Sequence, residues 1–158
     1  MTHKFELFHF SLLERMQPNL FDDSAKMSRE EWLRKVFSEE QSFEQFGDNF
    51  HYVPSRTEGR YSEIIGKIGR KVLRDENKSP SENFENITHE TWKAALVVLD
   101  PKHHEDGQKV AIERIKEVGN PSSLVEKLIE RINEIYCGPF SIEASQIIEE
   151  QSFWDFVK

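Results

Sequence analysis

A chain of 158 residues with 37% apolar side chains, among them twelve Phe and three Trp, lies in the length range of one domain and can furnish a core, which excludes a disordered polar chain. Its 32% charged residues leave a net charge of -8, which argues against wholesale electrostatic capture by nucleic acid or anionic lipid. The lone Cys137 excludes an internal disulfide framework, and no run approaches the roughly 18 apolar residues of a membrane helix, so the expected setting is a reducing cytoplasm.

Residues 4–13 place Phe5, Leu7, His9 and Leu13 on one alternating set and Phe8, Phe10 and Leu12 on the other. Both faces call for burial, which predicts a central strand. Glu6, His9 and the lack of a small-residue cleavage site set this stretch apart from a signal peptide. Ser28 and Glu31 then stand at capping-box spacing and open a helix whose stripe is Trp32, Leu33, Val36 and Phe37, extended by Phe43 and Phe46. Gly47, Asp48 and Asn49 mark a turn, followed by a short strand over residues 50–53 that Pro54 stops. Tyr61, Ile64, Ile65, Ile68 and Val72 recur at helical spacing, against which Gly66 and Gly69 each weigh about 1 kcal/mol, so helix and strand both stay open. Residues 75–90, rich in Asn, Ser and Pro80, read as an exposed loop.

The unbroken apolar run of residues 94–99, bounded by Asp100 and Pro101, predicts another central strand. Val110, Ala111, Ile115 and Val118 predict a helix closed by Gly119. A further helix follows Pro121, with Ser123 and Glu126 at capping-box spacing and Leu124, Val125, Leu128, Ile129, Ile132 and Ile135 facing inward. Phe140, Ile142 and Ala144 alternate with Ser141, Glu143 and Ser145 as a half-exposed strand, and Phe153, Trp154, Phe156 and Val157 crowd a terminal helix. This is the split βαβ order. It predicts a ferredoxin-like α+β fold, with a mostly antiparallel sheet, helices on one face and an insertion between strands 2 and 3. The span 1–158 reads as one such domain, with 56–91 a basic insertion plus polar loop and 149–158 an aromatic terminal segment.

Three constellations bear on function. Asp100, His103, His104, Glu105 and Asp106 gather imidazole and carboxylate after the strongest strand, a set suited to a divalent metal in a hydrolase or nuclease. Adjacent histidines in a loop diverge, however, and a hydrated turn with Asp106 capping the next helix explains the same residues. Residues 56–74 carry six cations against Glu58 and Glu63, and Arg56, Arg60, Lys67, Arg70 and Lys71 with Tyr61 and Tyr52 form a candidate surface for RNA or another single strand. The competing reading is a solvated helix face paired with acidic neighbours, while the acidic patches Glu39, Glu40, Glu44 and Asp48, and Glu149 and Glu150, suggest complementarity with a protein partner or a second copy, or simply a wet surface. His9 and His51 would form an acid-base pair if their strands were adjacent, and Cys137 lacks an evident base. With no convincing catalytic set, the residues point to a non-catalytic binding or assembly module. It would act through protein-protein contacts or self-association, as a subunit of a larger complex, with Phe153, Trp154 and Phe156 as the expected interface. No cofactor is predicted beyond the divalent metal that the 100–106 loop would take.

Overall fold

The computed structural model describes residues 2–15, 27–56, 62–105 and 107–147. In chain order these form β1 (Phe5–Glu14), α1 (Arg29–Phe37), β2 (Gln41–Gln45), β3 (Asp48–Pro54), β4 (Ile64–Asn77), β5 (Asn86–Asp100), β6 (Gln108–Glu113), α2 (Pro121–Ile135) and β7 (Phe140–Ile147). The strands make one sheet in the order β2-β3-β4-β5-β6-β1-β7, with antiparallel neighbours throughout.

Period-two alternation selects the inner face of this sheet. Phe8, Phe10 and Leu12 of β1, Phe50 and Tyr52 of β3, Ala95, Val97 and Leu99 of β5, Val110 and Ile112 of β6, and Phe140 and Ile142 of β7 all enter one core. The sheet curls as a half-barrel. Trp32, Leu33, Val36 and Phe37 of α1 join that core, as do Leu124, Val125, Leu128, Ile129 and Ile132 of α2. The α1 start is the predicted capping box: the Ser28 hydroxyl accepts from the Glu31 amide at 3.1 Å, and the Glu31 carboxylate accepts from the Ser28 amide at 3.2 Å. For α2 the cap is Asn120 rather than Ser123, its Oδ1 accepting from the Ser122 amide at 3.0 Å.

Helix α2 touches both edge strands, β2 and β7, and so spans the open side of the curl. On the β7 side the Asn133 amide substitutes for a missing strand, donating from Nδ2 to the Ile142 carbonyl and accepting at Oδ1 from the Ile142 amide, each at 2.9 Å. On the β3 side the buried Tyr52 hydroxyl donates to the Phe37 carbonyl at 2.8 Å, and burial pushes that phenol well above its ordinary range.

The ferredoxin-like expectation does not hold, because the segments read as insertion and helix are sheet. Residues 64–72 are strand: Ile64, Gly66, Ile68 and Arg70 alternate with Ile65, Lys67, Gly69 and Lys71, and the same isoleucines satisfy periods of both 2 and 3.6. The two glycines arbitrate, and each meets close neighbours that a helix would not supply. A Cβ on Gly66 would lie 2.5 Å from the Tyr52 ring, and one on Gly69 would lie 2.7 Å from the Lys93 carbonyl oxygen. Residues 75–77 and 86–90 extend β4 and β5 into a long hairpin, while residues 78–85 form its tip, with a 3-10 turn at Pro80–Glu82. Residues 108–113 form β6 instead of a helix, with Val110 and Ile112 inward and Lys109 and Ala111 outward. Phe43 lies in β2 and Phe46 in the β2–β3 turn, where Phe46 and Gly47 both take positive φ, 51° and 79°. Two helices remain among the described residues, and the sheet dominates.

Candidate functional site on the outer sheet face

With the inner face given over to the core, chemistry falls to the opposite face, the loops and the hairpin arm. An antiparallel sheet of this kind ordinarily shows water a polar outer face. Here one cross-strand row is apolar over five strands: Ile65 opposes Val98, Val98 opposes Ala111, Ala111 opposes Leu7, and Leu7 opposes Ile147. Phe5 and Val53 stand exposed beside it, at 42% and 44% of their full surface, and Leu13 stands exposed at 46% farther along β1, beyond His9 and Ser11. Glu113, on the same face, accepts from the Leu96 amide at 3.0 Å and lies 2.6 Å from His3 Nδ1; these two bonds hold its carboxyl below the usual carboxylate range.

Toward the β2 edge the outer face hollows. Ser42, His51, Gly69 and Ala94 form a row across β2, β3, β4 and β5, and the absence of a side chain at Gly69 leaves a cavity of about 400 Å³. Val53, Lys67 and Trp92 wall it. His51 Nδ1 and Ser42 Oγ share a hydrogen bond of 3.0 Å, and the His51 ring meets Trp92 edge to face at 5.8 Å. A second concavity of about 440 Å³ lies on the arm side of the same pair, lined by Asp48, Lys71, Leu73 and Glu90.

The predicted basic surface is divided by the strand alternation. Lys67 and Lys71 project from the outer face, whereas Arg70 belongs to the opposite set, where it donates to Asp48 at 2.8 Å and to the Glu117 carbonyl at 2.8 Å. Lys71 pairs with Glu90 at 3.1 Å and lies over the Trp92 ring, and Arg74 pairs with Glu76 at 3.2 Å. Arg56 is exposed just past β3, and Arg60 and Tyr61 lie outside the described residues. Tyr52 is buried in the core and offers no stacking surface. Two members of the acidic cluster are likewise tied down: Glu39 accepts from the Tyr136 hydroxyl, and Asp48 holds Arg70. Burial, reinforced by Glu39, raises the Tyr136 phenol.

At the 100–106 loop the structure brings together one pair. His104 Nε2 and Asp100 Oδ2 are 2.9 Å apart, while His103 is exposed and Asp106 lies outside the described residues. Burial opposes ionisation of Asp100, but the bonds from His104 and the Lys102 amide outweigh it and bring the carboxyl below its ordinary value. Among the described residues no three His, Cys, Asp or Glu side chains converge as a metal cage. His9 and His51 share the outer face but not a neighbourhood, since β4, β5 and β6 separate their strands, a span of roughly 19 Å at ordinary strand spacing. Cys137 is exposed beyond α2. Phe153, Trp154 and Phe156 lie outside the described residues.

No family model matches the chain, and neither the curated proteins nor the solved structures yield a match. The outer row and the cavity went unread in the sequence as sites, although Leu7 and the 94–99 run carried the signal. Two-sided apolarity reads as deep burial, and it equally describes a strand with a sticky outer face.

Proposed function

We propose that this chain is a non-catalytic assembly module that binds protein through the outer face of its curled sheet. The observation that carries this reading is the apolar row Ile65, Val98, Ala111, Leu7 and Ile147, flanked by exposed Phe5. Such a contiguous apolar patch marks a contact surface more often than a solvent face. The arm adds to it, because beyond Lys71 and Trp92, among the described residues, β4 and β5 pair only with each other, and Leu73 and Phe84 on it are 72% and 60% exposed. The nucleic-acid alternative draws less support, since Arg70, Lys71 and Arg74 are each occupied by a carboxylate.

The test is cross-linking and light scattering on the intact tagged chain, compared with Val98→Glu. The wild type is expected to hold a second copy or a stoichiometric partner that the folded variant loses. A wild-type monomer that retains nothing the variant lacks would overturn the reading.

A further inference from the structure

The geometry points to the cavity over Gly69 and Ala94 as a binding site for a small planar aromatic anion, an aromatic carboxylate being the simplest case. This inference stands apart from the docking row, which lies across other residues of the same face. At about 400 Å³ the cavity is within the range of small-molecule pockets, and its composition is of that kind, mostly apolar with a few placed polar groups. The floor is flat because Gly69 has no side chain and Ala94 has only a methyl. Flatness at Gly69 is enforced, since a Cβ there would meet the Lys93 carbonyl oxygen at 2.7 Å. Trp92 stands at one wall with 60% of its surface open, an unfavourable exposure for so large a ring, and Val53 stands beyond the floor at 44%. His51 is pinned by Ser42, so the polar group beside the floor has a fixed direction.

Charge decides the polarity of the ligand. Of the outward cations here, Lys71 is neutralised by Glu90 at 3.1 Å, whereas Lys67 makes no ion pair among the described residues and meets Glu113 only through a longer-range charge interaction. Val53 separates Lys67 from Glu40, which follows in the same row at the far rim and confines an anionic group to the Lys67 end. A ring laid on Gly69 and Ala94 against Trp92 therefore presents its carboxylate to Lys67.

The probe is 2-naphthoate, titrated calorimetrically into the full chain beside its neutral alcohol, 2-naphthalenemethanol. Naphthoate is expected to bind, and the alcohol to bind roughly fivefold more weakly, as a partly exposed ion pair of about 1 kcal/mol dictates. Lys67→Gln should bring the acid down to the level of the alcohol. Ala94→Phe, which fills the floor, should abolish binding of both with the melting temperature unchanged, and Trp92→Ala provides a second loss of binding should the filled variant not fold. The proposal is overturned by no naphthoate binding at millimolar concentration. It is also overturned by equal affinity for acid and alcohol, or by binding that survives both Ala94→Phe and Trp92→Ala.

Discussion

Asn133→Ala isolates the device by which α2 is fastened to an edge strand. The wild-type amide makes two hydrogen bonds of 2.9 Å to the backbone of one residue, Ile142, in a half-buried setting. Each such bond is worth about 1 kcal/mol net, so losing both costs about 2 kcal/mol. Alanine is the better helix former and returns roughly 0.5 kcal/mol, which leaves about 1.5 kcal/mol. For a chain of 158 residues that lowers the melting temperature by roughly 3–6 °C. Hydrogen exchange localises the effect, because the Ile142 amide should lose protection while α1 and the β4–β5 pairing keep theirs. Asn133→Asp sharpens the test: it keeps an acceptor for the Ile142 amide but turns a carboxylate oxygen toward the Ile142 carbonyl. At pH 7 it should therefore cost more than alanine, and less once the carboxyl is protonated. A melting temperature for Asn133→Ala at or above that of the wild type, with Ile142 still protected, would refute the idea that this side chain stands in for a strand.

Two further substitutions probe the sheet itself. Gly66→Ala puts a methyl 2.5 Å from the Tyr52 ring, which cannot withdraw without breaking its 2.8 Å bond to Phe37, so denaturant unfolding should show a loss of about 1–3 kcal/mol; a loss under about 0.5 kcal/mol would mean that the ring gives way freely. Glu113→Gln addresses pH. Because its partners lower the folded-state value of Glu113 below the ordinary 4.5, its contribution is present above that ordinary value and fades as pH falls through the lowered one. The melting-temperature gap between wild type and Glu113→Gln should therefore be open at pH 7 and close under acid, and a constant gap would contradict this assignment.

What could be read from the residues in advance was local. The α1 capping box, the α2 stripe and the alternation of Phe140 and Ile142 are short-range patterns that need no knowledge of the rest of the chain. The errors arose where two periods fit the same residues. Val110, Ala111, Ile115 and Val118 match a helix by spacing, yet Val110 and Ile112 pair across β6 with Leu99 and Val97, and the long-range sheet prevails over the local pattern. Residues 75–90 read as a loop because they are polar and turn-rich; 78–85 are indeed the hairpin tip, but 75–77 and 86–90 are strand because each has a cross-strand partner, from Asp75 with Thr88 to Asn77 with Asn86. The cavity was beyond reach for a similar reason. Four of its lining residues, Ser42, His51, Gly69 and Ala94, come from four strands and are adjacent only through register.

The strand β1 shows how the sequence and the proposed interface are connected. Its two apolar sets asked for burial on both faces, and the fold meets only one of the requests: Phe8, Phe10 and Leu12 are buried, while Phe5, Leu7 and Leu13 retain 42%, 37% and 46% of their surface. The same holds for β5, where Ala95, Val97 and Leu99 enter the core and Val98 faces outward into the apolar row. Full burial of one such side chain is worth roughly 1.5–3 kcal/mol, so several of them left half-covered represent a sizeable unrealised stabilisation. Exposed ion pairs cannot supply that energy, being worth about 0–1 kcal/mol each. A hairpin of two strands is marginal alone, and the arm beyond Trp92 relies on such pairs, Lys71 with Glu90 and Lys78 with Glu85 among them. A protein laid across the outer row would cover Leu7 and Val98 at once, and if it also reached the arm it would give Leu73 and Phe84 the third layer that the isolated chain lacks.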